Sequence, residues 1–239
     1  MKRIFTALLA LLVSGAAFTQ SKTVNDPNAQ PRAISGDFSA VSVSSGIELY
    51  LSTGSANALA VSVPDGVDAE RILTEVKNGV MEISVKNKFK DWKDRIKGHI
   101  KVYLSAKSLS KIVGTAGSRT MLSNELSASS LTLKFASGAT FNGKVAAGSL
   151  AIETNSGAVM DISGSAASTS VDASSGAIFR GFDLSTETCN AEVSSGAAIR
   201  ITINKELTAT ASSGGGIRYK GSATIRDINV SSGGLVKRA

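Results

Sequence analysis

Arg180, Arg200, Arg218 and Lys237 each stand four positions after a glycine: Gly176, Gly196, Gly214 and Gly233. The guanidinium group is a rigid fork of donors suited to carboxylate or phosphate partners. Four basic side chains at a constant offset can therefore form one ladder. Two readings are open for it. One is a solubilising face that discourages edge pairing. The other is a contact surface for acidic glycans or for an acidic column of another copy. Such a column exists four positions before the glycines, at Glu153, Asp172 and Glu192. Neighbouring strands lie about 4.8 Å apart, and like charges at that separation in water cost only on the order of 1 kcal/mol. The carboxylates are thus compatible with a solvated face. They are also compatible with a weak site for a cation or cationic ligand, although a firm calcium site needs about six or more oxygens.

Catalytic chemistry has little to work with. Cys189 and His99 are the sole residues of their types. Cys189 is seven positions before Gly196, where the other repeats carry Leu131, Leu150, Thr169 and Leu207. It reads as a small core residue rather than a nucleophile. A Ser-His-Asp triad would have to run through His99, and no nucleophile motif accompanies it. Zinc lacks candidate ligands. No catalytic residue, cofactor or metal site is expected.

A third feature is local charge. The run from Lys86 to Lys101 holds seven basic and two acidic residues. Its net of +5 equals that of the whole chain, +7, once Lys2 and Arg3 are removed with a leader. The basic balance therefore describes one patch and does not suggest a nucleic-acid partner. Phe89, Trp92 and Ile96 form one stripe of a short helix, leaving Lys88, Lys90, Lys93 and Lys97 to face away from it. The helix either packs on the flank of the fold or lies on an anionic membrane or polysaccharide. This segment is the expected source of attraction to anionic surfaces, with the arginine ladder as the competing source.

The elements that position these groups are set by a serine-glycine step. It occurs at Ser137-Gly138, Ser156-Gly157, Ser175-Gly176, Ser195-Gly196, Ser213-Gly214 and Ser232-Gly233, with glycine spacings of 19, 19, 20, 18 and 19. A fixed period in this range marks a stacked repeat fold. Alternating apolar columns flank the step. Leu133, Ile152, Val171, Ala191, Ala209 and Ile228 stand five positions before the glycine, and Phe141, Met160, Phe179, Ile199, Ile217 and Val236 stand three after it. Alternation means strands with one buried face. Glycine lets the chain turn a corner by reaching positive φ. Each coil is expected to hold two short strands around that corner and a looser return. The fold class is all-β, a parallel β-helix with coils of about nineteen residues.

The N-terminal part is less regular. Residues 1–19 read as a signal peptide cleaved after Ala17 or Thr19, with a positive start at Lys2-Arg3 and an apolar run to Phe18. Residues 20–35 read as a polar linker and 36–239 as one domain. Asn78-Gly79 predicts a hairpin turn between Thr74–Lys77 and Val80–Val85. Asp68 to Leu73 predicts a helical turn.

Several of these stretches resemble a known family. Phe38-Ser39-Ala40-Val41-Ser42-Val43-Ser44-Ser45-Gly46-Ile47-Glu48-Leu49 is similar to the opening of the putative autotransporter adhesin head domain, the head GIN domain. Asn78-Gly79-Val80-Met81-Glu82-Ile83 resembles its second landmark. Lys101-Val102-Tyr103-Leu104 with Ser108-Leu109-Ser110-Lys111-Ile112 resembles its third. The resemblance covers roughly residues 36–235. It implies an exported right-handed single-stranded β-helix, in a family common in Bacteroidota, and it implies no catalytic residues. Two functions stay open. One is a non-catalytic envelope-associated or surface module that binds glycan, envelope component or protein, with self-association open. The other is a polysaccharide-active β-helix enzyme, a lyase or hydrolase. The chain is expected in the periplasm or at the cell surface.

Overall fold

A computed structural model describes residues 26–86 and 98–239. The signal-peptide reading of residues 1–19 lies outside them. Among the described residues seventeen strands form one continuous sheet system. In chain order they are β1 (Gln30–Arg32), β2 (Ala40–Val43), β3 (Glu48–Thr53), β4 (Ala58–Ser62), β5 (Ile72–Lys77), β6 (Val80–Val85), β7 (Lys101–Ala106), β8 (Lys111–Gly114), β9 (Arg119–Leu122) and β10 (Leu126–Phe135). The rest are β11 (Thr140–Thr154), β12 (Val159–Ala173), β13 (Ile178–Val193), β14 (Ala198–Ala211), β15 (Gly216–Lys220), β16 (Thr224–Val230) and β17 (Leu235–Arg238). A 3₁₀ turn at Ala69–Arg71 sits where the sequence predicts a helical turn, with Asp68 capping it through Glu70 N–H.

From β8 onward each strand pairs in parallel with its equivalent one repeat away. The chain is a β-solenoid, and the serine-glycine steps are its corner. Both residues of each step are left-handed: the six serines have φ of 47° to 54° and the glycines 71° to 76°. Two consecutive positive φ values define a type I′ turn, closed by bonds such as Ala177 N–H to Ser174 C=O at 3.1 Å. The same step ties coils together, since Gly176 N–H donates to Ser195 C=O at 3.0 Å and its equivalents do likewise. A Cβ on Gly176 would meet nothing within 4 Å. Conformation, not space, is what selects glycine there.

The predicted looser return is a strand instead. β11, β12 and β13 run 15, 15 and 16 residues unbroken, because neighbouring coils pair right through the return, as at Val145↔Gly164 and Ser149↔Ser168. A backbone lying between two coils must satisfy its donors and acceptors there.

The inward columns are buried as expected up to the last coil, where Ile228 is exposed and Val236 half-buried. Phe135, Phe141 and Phe179 are the largest fully buried side chains, and the first two rings pack 5.2 Å apart. Cys189 is buried in the position read from its column.

The N-terminal end departs from simple stacking. β2 pairs in parallel with both β6 and β8, and β3 with both β7 and β9. The β6–β7 coil, later in sequence, therefore lies outside the β2–β3 coil. β5 then pairs antiparallel on β6 through the Asn78-Gly79 turn. β4 pairs antiparallel on β7, and β1 on β4. Residues 30–32, read from the sequence as linker, thus form an edge strand. Arg32 anchors it by donating to Ile72 C=O at 2.5 Å, Thr74 Oγ1 at 3.0 Å and Ala69 C=O.

Candidate functional site

The parallel register brings the arginine ladder together. Asp161 pairs with Arg180, Arg180 with Arg200, Arg200 with Arg218 and Arg218 with Lys237. All four cations are exposed. Arg180 is held by Asp161, with Nη1 donating to Oδ1 at 3.4 Å and Oδ2 at 3.2 Å. Arg200 and Arg218 have no acidic partner among the described residues.

Beside this ladder the surface is concave. A groove of about 610 Å³ is lined by Leu122, Lys144, Asp161, Arg180, Phe182, Asp183 and Arg200, among others. Its wall comes from a break in the repeat. The glycine spacing is 20 where the previous two are 19, and the additional residue falls in the first half of β13. The register runs Asp161↔Arg180 and resumes at Gly164↔Leu184, so β13 carries one residue more than β12. Against β14 it slips again between Gly181 and Ser185. Such a bulge re-aims side chains. Here Phe182 is half-buried and Asp183 exposed. Thr202 Oγ1 fastens the bulge by donating to Phe182 C=O at 2.8 Å, and Lys220 Nζ sits 4.3 Å from the Phe182 ring centroid. Phe182 was missed from the sequence. The signal that could have found it was the 20-residue spacing among the serine-glycine steps.

The carboxylate column also forms. Lys134 pairs with Glu153, Glu153 with Asp172 and Asp172 with Glu192. Lys134 Nζ is 2.6 Å from Glu153 Oε1. Partial burial, then the charges of Glu192 and Glu153, raise the Asp172 carboxyl above its ordinary value. Among the described residues no group of three or more His, Cys, Asp and Glu is arranged to hold a metal ion.

Burial pushes the Cys189 thiol up to about 12, which suppresses the nucleophilic thiolate. His99 does find a carboxylate, with Nδ1 3.2 Å from Glu48 Oε1. The sequence did not reveal the polar group around it. Tyr50 O–H donates to Glu48 Oε2 at 3.4 Å and its ring stacks on Tyr103 at 5.0 Å. Tyr103 O–H donates to Asp26 Oδ2 at 2.9 Å. Burial and then Asp26 raise the Tyr103 hydroxyl well above its usual range. The contributors lie far apart in sequence and meet only because β3 pairs with β7. Their hydrogen bonds fasten residue 26 to the terminal coil.

Lys88, Lys90, Trp92, Lys93 and Lys97 lie outside the described residues. In chain order the segment containing them falls between β6 and β7.

The family described as "Putative auto-transporter adhesin, head GIN domain" matches residues 37–223. Solved structures share the fold at low identity. A putative adhesin from Bacteroides fragilis NCTC 9343 aligns with a TM-score of 0.77 at 16% identity, over 88% of this chain and 96% of that one. A putative adhesin from Parabacteroides distasonis ATCC 8503 aligns with a TM-score of 0.70 at 17% identity, over 88% and 97%. A protein from the same strain described as a putative lipid binding protein aligns with a TM-score of 0.61 at 17% identity, over 89% and 97%. No curated protein matches the sequence.

Proposed function

This chain belongs to the auto-transporter adhesin head GIN domain family, and from that premise we propose that it is an exported, non-catalytic binding module. It acts by adhesin-like contact with a component of the envelope or the cell exterior. The observation that carries this reading is the ladder of Arg180, Arg200, Arg218 and Lys237, held in strict register on a rigid coil stack. The strand register sets the spacing of the cations before any partner arrives, so no backbone has to be ordered on binding. The +5 segment from Lys86 to Lys101 adds longer-range attraction, which salt screens over about 10 Å at 0.1 M and about 3 Å at 1 M.

No helix among the described residues is long and apolar enough to cross a membrane. The family match, with the leader read from residues 1–19, supports an exported mature chain in the periplasm or at the cell surface. One structural neighbour is described as a putative lipid binding protein, so anionic vesicles belong among the probes.

The test is retention of the purified chain on anionic and neutral glycans and on vesicles, paired with lyase and hydrolase assays on the same glycans. Retention with the glycan left intact is expected. Shortening of the glycan would replace this reading with a polysaccharide-active enzyme. Replacing Lys88, Lys90, Lys93 and Lys97 with glutamine separates the two basic surfaces. Lost retention on a plain anionic matrix assigns the attraction to the segment, and retention preserved there but lost in an Arg180/Arg200/Arg218 variant assigns it to the ladder.

A further inference from the structure

We propose that the groove beside the β13 bulge, continued along the stack by Arg218, is a binding site for an anionic polysaccharide chain running parallel to the solenoid axis. This rests on the binding-module reading above and names its ligand class and its site.

Four observations converge. First, the bulge breaks the regular outward surface beside the ladder. In a solenoid the outward columns repeat by construction, and an additional residue in a coil changes the surface where it falls. Here it raises Phe182 and Asp183 next to the ladder, and they line the groove with Arg180 and Arg200. Second, the cations differ in their partners. Lys144 Nζ is 2.8 Å from Glu125 Oε2 and Arg180 is bonded to Asp161. Arg200 and Arg218 are adjacent in register, and no described carboxylate neutralises either. Two neighbouring guanidinium groups are a standing demand for an anion, each able to bind a carboxylate or sulfate through a pair of donors.

Third, the ladder is linear, with one cation per strand, or about one every 4.8 Å along the axis. A polymer with one acidic group per unit can meet successive rungs, and each rung after the first is then engaged at high effective concentration. Fourth, the lining is not purely cationic. Asp183 and Asp161 also face the groove. They can accept hydrogen bonds from hydroxyl groups. Half-buried Phe182 adds an apolar surface for sugar C–H groups. Hydroxyls, C–H faces and well-spaced negative charges together describe an acidic saccharide. A flat bilayer fits a concave surface less well than a single chain does.

The test uses the full chain, titrated by calorimetry with polygalacturonate oligomers, heparin oligomers, neutral dextran oligomers and phosphatidylglycerol vesicles. Binding to one of the acidic saccharides and not to dextran is expected. The carboxylated and sulfated arms distinguish the two sources of charge. The Arg200→Gln/Arg218→Gln variant should weaken saccharide binding by about tenfold or more, because charge-assisted hydrogen bonds are lost. Phe182→Ala should weaken it by about threefold, and the four-lysine variant should change it less at high salt, where long-range attraction is screened. The bound saccharide should raise the melting temperature of the parent but not of the double arginine variant.

Saccharide binding unchanged in the arginine variant, with unchanged melting, would overturn the site. Binding to vesicles alone would overturn the saccharide while leaving an adhesin-like module. Shortening of the oligomers would overturn the non-catalytic reading itself, whatever the groove does.

Discussion

Ile72, Met81 and Ile83 at the N-terminal end of the stack are each 1% exposed, whereas Ile225, Ile228, Val230 and Leu235 at the other end are 37% to 49% exposed. A parallel solenoid has two open ends, each with unpaired backbone groups and the undersides of its apolar columns. At the first end the chain reverses. The β5–β6 hairpin and the β4 and β1 strands pair antiparallel on the outermost coil. The edge strand β1 carries Pro31, which cannot donate to another strand. At the second end no strand covers β16 and β17 among the described residues. Protection there takes another form: Lys237 and Arg238 on β17, and a register slip at Arg226 in β16 whose Nη1 bonds Glu206 at 2.9 Å. Charges and bulges are the usual devices for blunting an edge. Covering an end and blunting it both prevent further stacking, but only covering buries the apolar columns.

That difference predicts how the stack comes apart. The largest effect should come from the middle, where each coil supports two neighbours. Phe179 is fully buried between Met160 and Ile199. Phe179→Ala should cost about 3–5 kcal/mol, read as a lower denaturant midpoint. Hydrogen exchange should show protection lost first from β14 to β17, the side without a cap. A variant melting within a degree or two of the parent, or one opening first from β5 and β6, would break the comparison.

The ends themselves come next. Ile83→Ala in the capped end should cost about 2–4 kcal/mol, whereas Ile228→Ala should cost less than about 1 kcal/mol, because its side chain already meets water. Equal losses in urea melts would show that the second end is covered in solution.

The corner turn is a smaller lever, common to all regular coils. Gly176→Ala should destabilise by about 1 kcal/mol from its positive φ alone, since its Cβ meets no atom. A loss of several kcal/mol in a thermal melt would mean a steric clash instead.

The smallest effect contrasts the two charged columns. Asp172 has a folded value raised above 3.8 by partial burial and by Glu192 and Glu153. The folded chain therefore holds this proton where the unfolded chain has released it. Stability falls as pH rises from 3.8 through the raised value, and is regained as pH falls. Asp172→Asn should raise the melting temperature at neutral pH by an amount worth less than about 1 kcal/mol, and the gain should vanish below pH 3.8. A gain that persists in acid would assign the effect to something other than charge.

The sequence by itself determined the regular part of this protein. The inward columns, the buried Cys189, the corners and the in-register charged ladders all follow from one period, because in a solenoid the partner of a residue lies one repeat away in the chain. The Asn78-Gly79 hairpin was legible for the same reason, being closed by local turn chemistry. The N-terminal cap was not. There β2 is held between β6 and β8, so pairs such as Glu48↔Arg119 and Val41↔Met81 join residues whose separation follows no period. The groove was half legible. The arginines were read from their spacing, but a longer repeat does not say on which face its additional residue emerges. Only the competition between keeping register with β12 and with β14 decided that Phe182 and Asp183 leave the ladder and wall the site.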